Sequence, residues 1–305
     1  PDPPANYRAY RIKIAGCKDI VGSFNDTGSI RLAKTSSDID MTDGNPNYSL
    51  AGAKYGVYYG NALIGAITTG TDGTGSLDNI LVGNYTVKEI QPSPGYAIDV
   101  SGHNVSVKVD QTTSLSVKEI PQSDPIDLLL DKIDCETGKP EPQGAASLEG
   151  AEFKVEFFAQ RASAVRPEAM ARSSEMKAYR TWIFRTDKEG KIKFTKDYLV
   201  SGDEFYYQSD GKTPCIPLGH VRITEMKAPE GYRLTDEIFT ADIISAGVKE
   251  TVKVYNTQIA AEQVKRGNLE FVKVSYGDLE RLAGVPFTIT SLTTGESHTI
   301  VTDKN

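Results

Sequence analysis

Leu128-Leu-Leu-Asp-Lys-Ile-Asp134 reads as a β-strand in which Leu128, Leu130 and Lys132 share one face, because side chains two apart in a strand point the same way. The pattern occurs twice more. Ile30, Leu32 and Lys34 share a face, as do Leu269, Phe271 and Lys273. Each strand aims an ammonium at a core. Lysine is almost never fully buried without a partner. A buried amine must find a counter-charge, give up its proton, or react.

Outward from these strands the chain repeats itself. Leu50-Ala-Gly-Ala-Lys-Tyr55 matches Leu148-Glu-Gly-Ala-Glu-Phe153 and Leu282-Ala-Gly-Val-Pro-Phe287. A turn follows in each copy: Thr71-Asp-Gly-Thr-Gly75, Thr186-Asp-Lys-Glu-Gly190, and Thr302-Asp303. Asp and Gly suit tight connections between strands. Gly83-Asn-Tyr-Thr-Val-Lys-Glu89 with Pro94-Gly-Tyr96 matches Gly219-His-Val-Arg-Ile-Thr-Glu225 with Pro229-Glu-Gly-Tyr232. Short alternating strands punctuated by Gly, Pro, Asn and Asp predict an all-β protein of tandem antiparallel β-sandwiches. The segment 159–183, rich in Ala, Arg, Met and Glu, is predicted to be an insertion, either one helix or a mobile excursion.

The repeat sets the expected boundaries. Residues 1–24 read as the C-terminal strand of a preceding domain plus a linker, with Tyr7 to Ile14 lacking a partner strand nearby in sequence. Residues 25–123 form a first domain, 124–262 a second, and 263–305 the N-terminal part of a truncated third. Both ends read as cuts within a longer protein.

Composition narrows the function. The net charge of −7 argues against nucleic acid as a partner, since phosphate binding needs a basic surface. No apolar run approaches the ~18 residues of a membrane helix. Cys17, Cys135 and Cys215 are odd in number and far apart, and give neither a disulfide framework nor zinc-ligand spacing. His103, His220 and His298 fall in separate motifs. No metal, cofactor or phosphate loop is expected, and no Ser-His-Asp or Cys-His spacing stands out.

Parity identifies a candidate site in the second domain. Val221, Ile223 and Glu225 share a face, and so do Val252, Val254 and Asn256. Lys132, Glu225 and Asn256 are therefore expected to reach inward from three strands, a costly arrangement unless they meet. If they meet, a desolvated, neutral Lys132 is a nucleophile. A protonated Glu225 can move protons. Attack on the Asn256 carboxamide would expel ammonia and join the first strand to the last, once and without turnover. In the first domain, Leu115, Val117 and Glu119 place glutamate where asparagine is expected. Lys34, Glu89 and Glu119 are expected to form a buried ion cluster with no covalent bond.

These motifs resemble the Cna-B or SpaA-type pilin domains of Gram-positive surface proteins. The likeness rests on Leu-Asp-Lys132-Ile-Asp, Leu148 to Phe153, Thr-Glu225-Met-Lys-Ala-Pro-Glu-Gly-Tyr232 and Val-Tyr-Asn256-Thr, and covers residues 25 to 305. It implies a transthyretin-like (prealbumin-like) sandwich and an isopeptide bond between Lys132 and Asn256 assisted by Glu225. Lys273 matches the lysine role in the third unit, with its partners beyond Asn305. The resemblance also implies an extracellular stalk segment of an adhesin or pilin-like protein, anchored to peptidoglycan through a region outside this chain. Two alternatives stand beside it: a module binding host glycan or matrix protein, with 159–183 as the candidate surface, and an accessory domain beside a secreted enzyme.

Overall fold

The structure, a computed structural model, describes residues 7–12, 20–159, 177–292 and 295–304. Tyr7–Ile12 (β1) pairs antiparallel with Ile20–Asn25 (β2). This corrects the expectation that the first strand lacks a nearby partner. Gly22 and Ser23 break the alternation of β2 and hide it in the sequence.

The first domain contains β3 (Thr27–Ser36), a one-turn helix α1 (Ile39–Thr42), β4 (Lys54–Tyr59), β5 (Ala62–Thr68), β6 (Thr74–Leu81), β7 (Gly83–Gln91), β8 (Gly102–Val107) and β9 (Thr112–Glu119). They form two sheets, β6-β3-β9 and β5-β4-β7-β8. The inward faces of both supply one core, with Ile30, Leu32, Tyr55, Val57, Ile67 and Val87 fully buried.

The second domain repeats the plan with β10 (Ser123–Asp124), β11 (Leu128–Asp134), β12 (Glu152–Phe158), β13 (Arg180–Arg185), β14 (Lys191–Lys193), β15 (Leu199–Gly202), β16 (Tyr206–Tyr207), β17 (Pro214–Pro217), β18 (Gly219–Lys227), β19 (Ile238–Ile243) and β20 (Gln258–Glu262). Its sheets are β14-β11-β20 and β15-β13-β12-β18-β19, with a small β10-β17-β16 sheet beside them. Trp182, Phe184, Phe194 and Phe205 pack ring against ring in its core. β13 begins inside the expected insertion at 159–183 and runs past its end, because Trp182 and Phe184 alternate inward there. Residues 160–176 of that insertion lie outside the described residues, as does Cys17.

The chain is therefore all-β, in tandem prealbumin-like sandwiches. One pairing per domain departs from the antiparallel expectation. β3 runs parallel to β9, and β11 runs parallel to β20. The first and last strands of each domain are thus neighbours. The lysine register is pinned in the same way twice. The backbone N–H of Lys34 donates to the carbonyl of Gly73 at 2.8 Å, and that of Lys132 to Gly190 at 2.9 Å. Both glycines have positive φ, and a Cβ at Gly73 would stand 2.4 Å from the Lys34 carbonyl oxygen.

The two domains interlock. Asp38 caps α1, accepting from the Met41 N–H at 3.0 Å. Met41, Tyr48 and Tyr96 are buried in one apolar cluster with the second domain's core. The Tyr48 hydroxyl donates to the Gln122 carbonyl at 2.6 Å and accepts from the Leu218 N–H at 2.9 Å. The Asn45 side chain donates to the Leu218 carbonyl at 2.9 Å.

Beyond the second domain, Pro286–Thr290 (β21) and Ser297–Val301 (β22) form a hairpin. Leu269 and Lys273 are exposed, so the inward face expected for that strand is not formed. Phe271 packs edge-on against Phe287, with ring centroids 4.7 Å apart.

Candidate functional site

Each domain buries one lysine and two glutamates together, carried by β3, β7 and β9 in the first and by β11, β18 and β20 in the second. In the first domain these are Lys34 on β3, Glu89 on β7 and Glu119 on β9, all buried. Lys34 Nζ donates to Glu89 Oε1 at 3.3 Å and lies 3.9 Å from Glu119 Oε2. The Asp99 N–H donates to Glu89 Oε2 at 2.7 Å. The Tyr55 hydroxyl donates to Glu119 Oε1 at 2.5 Å. The ammonium also sits 5.0 Å from the centre of the Tyr96 ring.

In the second domain Lys132 is 0 % exposed. Its Nζ donates to Glu225 Oε1 at 2.8 Å. The Thr235 N–H donates to Glu225 Oε2 at 2.9 Å, as Asp99 does to Glu89. The third member is Glu262 on β20, whose Oε1 contacts the Lys132 ammonium directly as an ion pair. Neither Glu262 oxygen has a hydrogen-bond partner among the described residues. The Phe153 ring lies 5.4 Å from the ammonium. Loss of hydration on burial lowers the Lys132 pKa to about 8, against the raising effect of Glu225.

Lys132 and Glu225 therefore meet, but the structure does not bring Asn256 to them. Asn256 is exposed, and its carbonyl accepts from the Gln258 side chain. Leu130 pairs with Gln258 and Lys132 with Ala260. Extending that register puts Asn256 beside Leu128, roughly 13 Å back along the strand from Lys132. The cause is Asp124. Its buried carboxylate accepts from the N–H groups of Val254 and Tyr255 at 2.8 and 2.9 Å. Val252 donates to the Ser123 carbonyl. This ties 252–255 beside β10, so the last strand begins six residues later than alternation suggests. Glu262 is the residue that sequence reasoning missed. Its signal was present in the repeat, because Glu119 occupies the matching place in the first domain, two residues past the position paired with its lysine.

Lys273 is exposed. Cys135 is a free exposed thiol, and Cys215 is a free buried one whose pKa burial pushes up to about 12. His103, His220 and His298 each contact a nearby carboxylate, of Asp99, Asp242 and Glu296.

Loss of hydration on burial raises the Glu119 carboxyl above the ordinary range, although Tyr55 and Lys34 oppose it. A raised folded-state pKa contributes stability that is complete below the unfolded value and is lost as pH rises through the folded value. Glu119→Gln should therefore flatten the fall in first-domain stability just above the ordinary carboxylate range. Urea midpoints across pH would check this, and an unchanged slope would exclude Glu119 as the titrating group.

Two interlocked prealbumin-like sandwiches, each with a buried lysine bridging its first and last strands, define a class of repeated β domain. The model of the SpaA prealbumin-like fold domain matches residues 35–121 and 129–258. The chain belongs to that family. No curated protein matches it. Among solved structures it is similar to the Bacillus anthracis TIE protein, with 22% identity and a TM-score of 0.60. That alignment covers 93% of this chain and 45% of the TIE protein, so the chain spans less than half of that relative's length. A C-terminal fragment of the pilus adhesin SpaC from Lactobacillus rhamnosus GG aligns at 12% identity and TM-score 0.38, covering 81% of this chain and all of the fragment. BcpA, the major pilin subunit of Bacillus cereus, aligns at 12% identity and TM-score 0.30, covering 79% of this chain and all of BcpA. The last two superpose loosely.

Proposed function

We propose that this chain is a load-bearing stalk segment of an extracellular surface protein of a Gram-positive bacterium, adhesin or pilin-like, anchored to the cell wall through a region outside it. The observation that supports this reading is the parallel pairing of first and last strands in both domains, bridged by a buried lysine. Tension applied at the two ends of such a domain pulls those strands in opposite directions along their length. All the bonds between them are then loaded together, whereas a hairpin peels one bond at a time. The interlocked joint carries the same load from one domain to the next. The segment performs no catalytic turnover.

Force spectroscopy on the full chain, pulled from its termini, tests the mechanical claim. Both domains should rupture at forces well above those of a domain that opens by peeling. Extension of both domains at low force would overturn it. Protease shaving of the producing cells, followed by detection of peptides from 27–262, tests the location.

A further inference from the structure

We propose that the chain has one stiff joint and one bending joint. Tyr48 locks the first domain to the second, whereas the segment after the second domain swings about Val264 to Gly267, because Ala146 stands there in the place of Tyr48.

The repeat makes the two joints comparable residue by residue. Tyr48-Ser-Leu50 aligns with Ala146-Ser-Leu148 at the head of the shared Leu-x-Gly-Ala blocks. The backbone follows the same alignment. Tyr96 and Tyr232 form matching bridges to Pro121 and Val264. The Gln122 N–H donates to the Gly95 carbonyl at 2.8 Å, and the Lys265 N–H to the Gly231 carbonyl at 2.7 Å. A Cβ at Gly95 would stand 3.1 Å from the Tyr48 Cα, and one at Gly231 would stand 2.8 Å from the Ala146 Cα. Gln122 thus matches Lys265, and Tyr48 matches Ala146.

In the first joint, side chains from the loop before the block reach into the next domain. Tyr48 bonds the Leu218 N–H, and Asn45 and Asn47 both donate to the Leu218 carbonyl. The Tyr48 ring stands edge-on to Tyr96, with centroids 5.7 Å apart. The Gln122 side chain donates to the carbonyls of Ala246, Gly247 and Lys249. In the second joint the same positions are Gln143, Ala145 and Ala146. The Gln143 amide turns back into its own domain and donates to Asp134 and Glu136. The alanines carry nothing that can reach across. A cleft of about 540 Å³ opens at the place that matches Tyr48, lined by Ala145, Ala146, Val264 and Lys265 and by Ser291 and Glu296 from the β21–β22 connection.

The apolar contacts differ in the same sense. Tyr48 is continuous with the second domain's core, but the cluster at the second joint contains only Leu148, Tyr232 and Val264, with Ala146 packed against it. Arg266 pairs with Glu136 at the surface, with its side chain 59 % exposed. Such a pair is weak and screened by salt. Gly267 follows, with open space where a Cβ would stand. A connection with few buried apolar contacts and exposed polar bonds opens at low cost.

Nitrogen-15 relaxation on the full chain tests the proposal. The first and second domains should share one tumbling time, and the β21–β22 hairpin should reorient faster. Hydrogen exchange supplies two matched reporters: corrected for intrinsic rates, the Lys265 N–H should exchange about tenfold faster than the Gln122 N–H. Ala146→Tyr should put a ring in the cleft, slow exchange at Lys265 and slow tryptic cleavage after Lys265 and Arg266. Should that variant fail to fold, Tyr48→Ala provides the converse check, raising Gln122 exchange towards that of Lys265. A single tumbling time for both domains and the hairpin would overturn the proposal. So would equal protection of the two reporters, or a folded Ala146→Tyr chain with unchanged exchange at Lys265. These measurements apply no load, so their outcome is independent of the rupture force that tests the stalk.

Discussion

Lys132→Met will destabilise the second domain by about 3–5 kcal/mol, the cost of leaving buried carboxylates without their counter-charge. Methionine fills a similar volume, so the loss is electrostatic rather than a cavity effect. Glu225 and Glu262 are then two buried carboxylates with no cation between them, the costly case of a buried pair that has lost one partner. Trp182 is the sole tryptophan and is 0 % exposed in the second domain, so its fluorescence during urea unfolding reports on this domain. Lys132→Met/Glu225→Gln/Glu262→Gln removes the charge imbalance. If ion pairing alone stabilises the site, the triple variant should recover most of the loss. A Lys132→Met chain with the wild-type midpoint at neutral pH would show that the cluster contributes nothing.

Tyr48→Ala should cost about 3–5 kcal/mol, as expected for truncating a large buried aromatic, and it should do so in both domains at once. Tyr48 belongs to the first domain but is packed with the second domain's core, and its hydroxyl serves Gln122 and Leu218. Truncation leaves the Leu218 N–H without its partner, a loss of about 1–3 kcal/mol by itself. Calorimetry should resolve one transition in the wild-type chain and two in the variant. A Trp182 midpoint that does not move in Tyr48→Ala would mean that the domains unfold independently and the joint transmits nothing.

Much of this was legible in the residues because strand parity is local. Ile30, Leu32 and Lys34, with Leu130 and Lys132, face inward as alternation requires, and the repeated glycine turns fix where those strands meet their neighbours. Glu225 was legible for the same reason. The last strand of the second domain was not. Val252-Lys-Val-Tyr-Asn256 alternates more strongly than Gln258-Ile-Ala-Ala-Glu262, whose alanines carry little pattern. The deciding contact is non-local: the Asp124 carboxylate takes two successive N–H groups that a ladder would otherwise use. No periodicity within 252–262 encodes it. The helical turn at Ile39–Thr42 was hidden likewise, since four residues make too short a window for any helical period, and Met41 is buried by the other domain's core.

The pairing of β3 with β9 runs over eight residue pairs in one direction. The backbone therefore comes into the domain at its lower edge and departs from its upper edge, and the second domain does the same. Each copy advances the polypeptide instead of returning it, by about 26 Å over the eight pairs of the first domain and about 17 Å over the five of the second at the usual rise of a parallel strand. Copy number becomes a ruler. Duplicating or deleting one unit would lengthen or shorten the distance spanned by that increment, so the same sandwich can be tuned to a thicker or thinner gap by gene duplication alone.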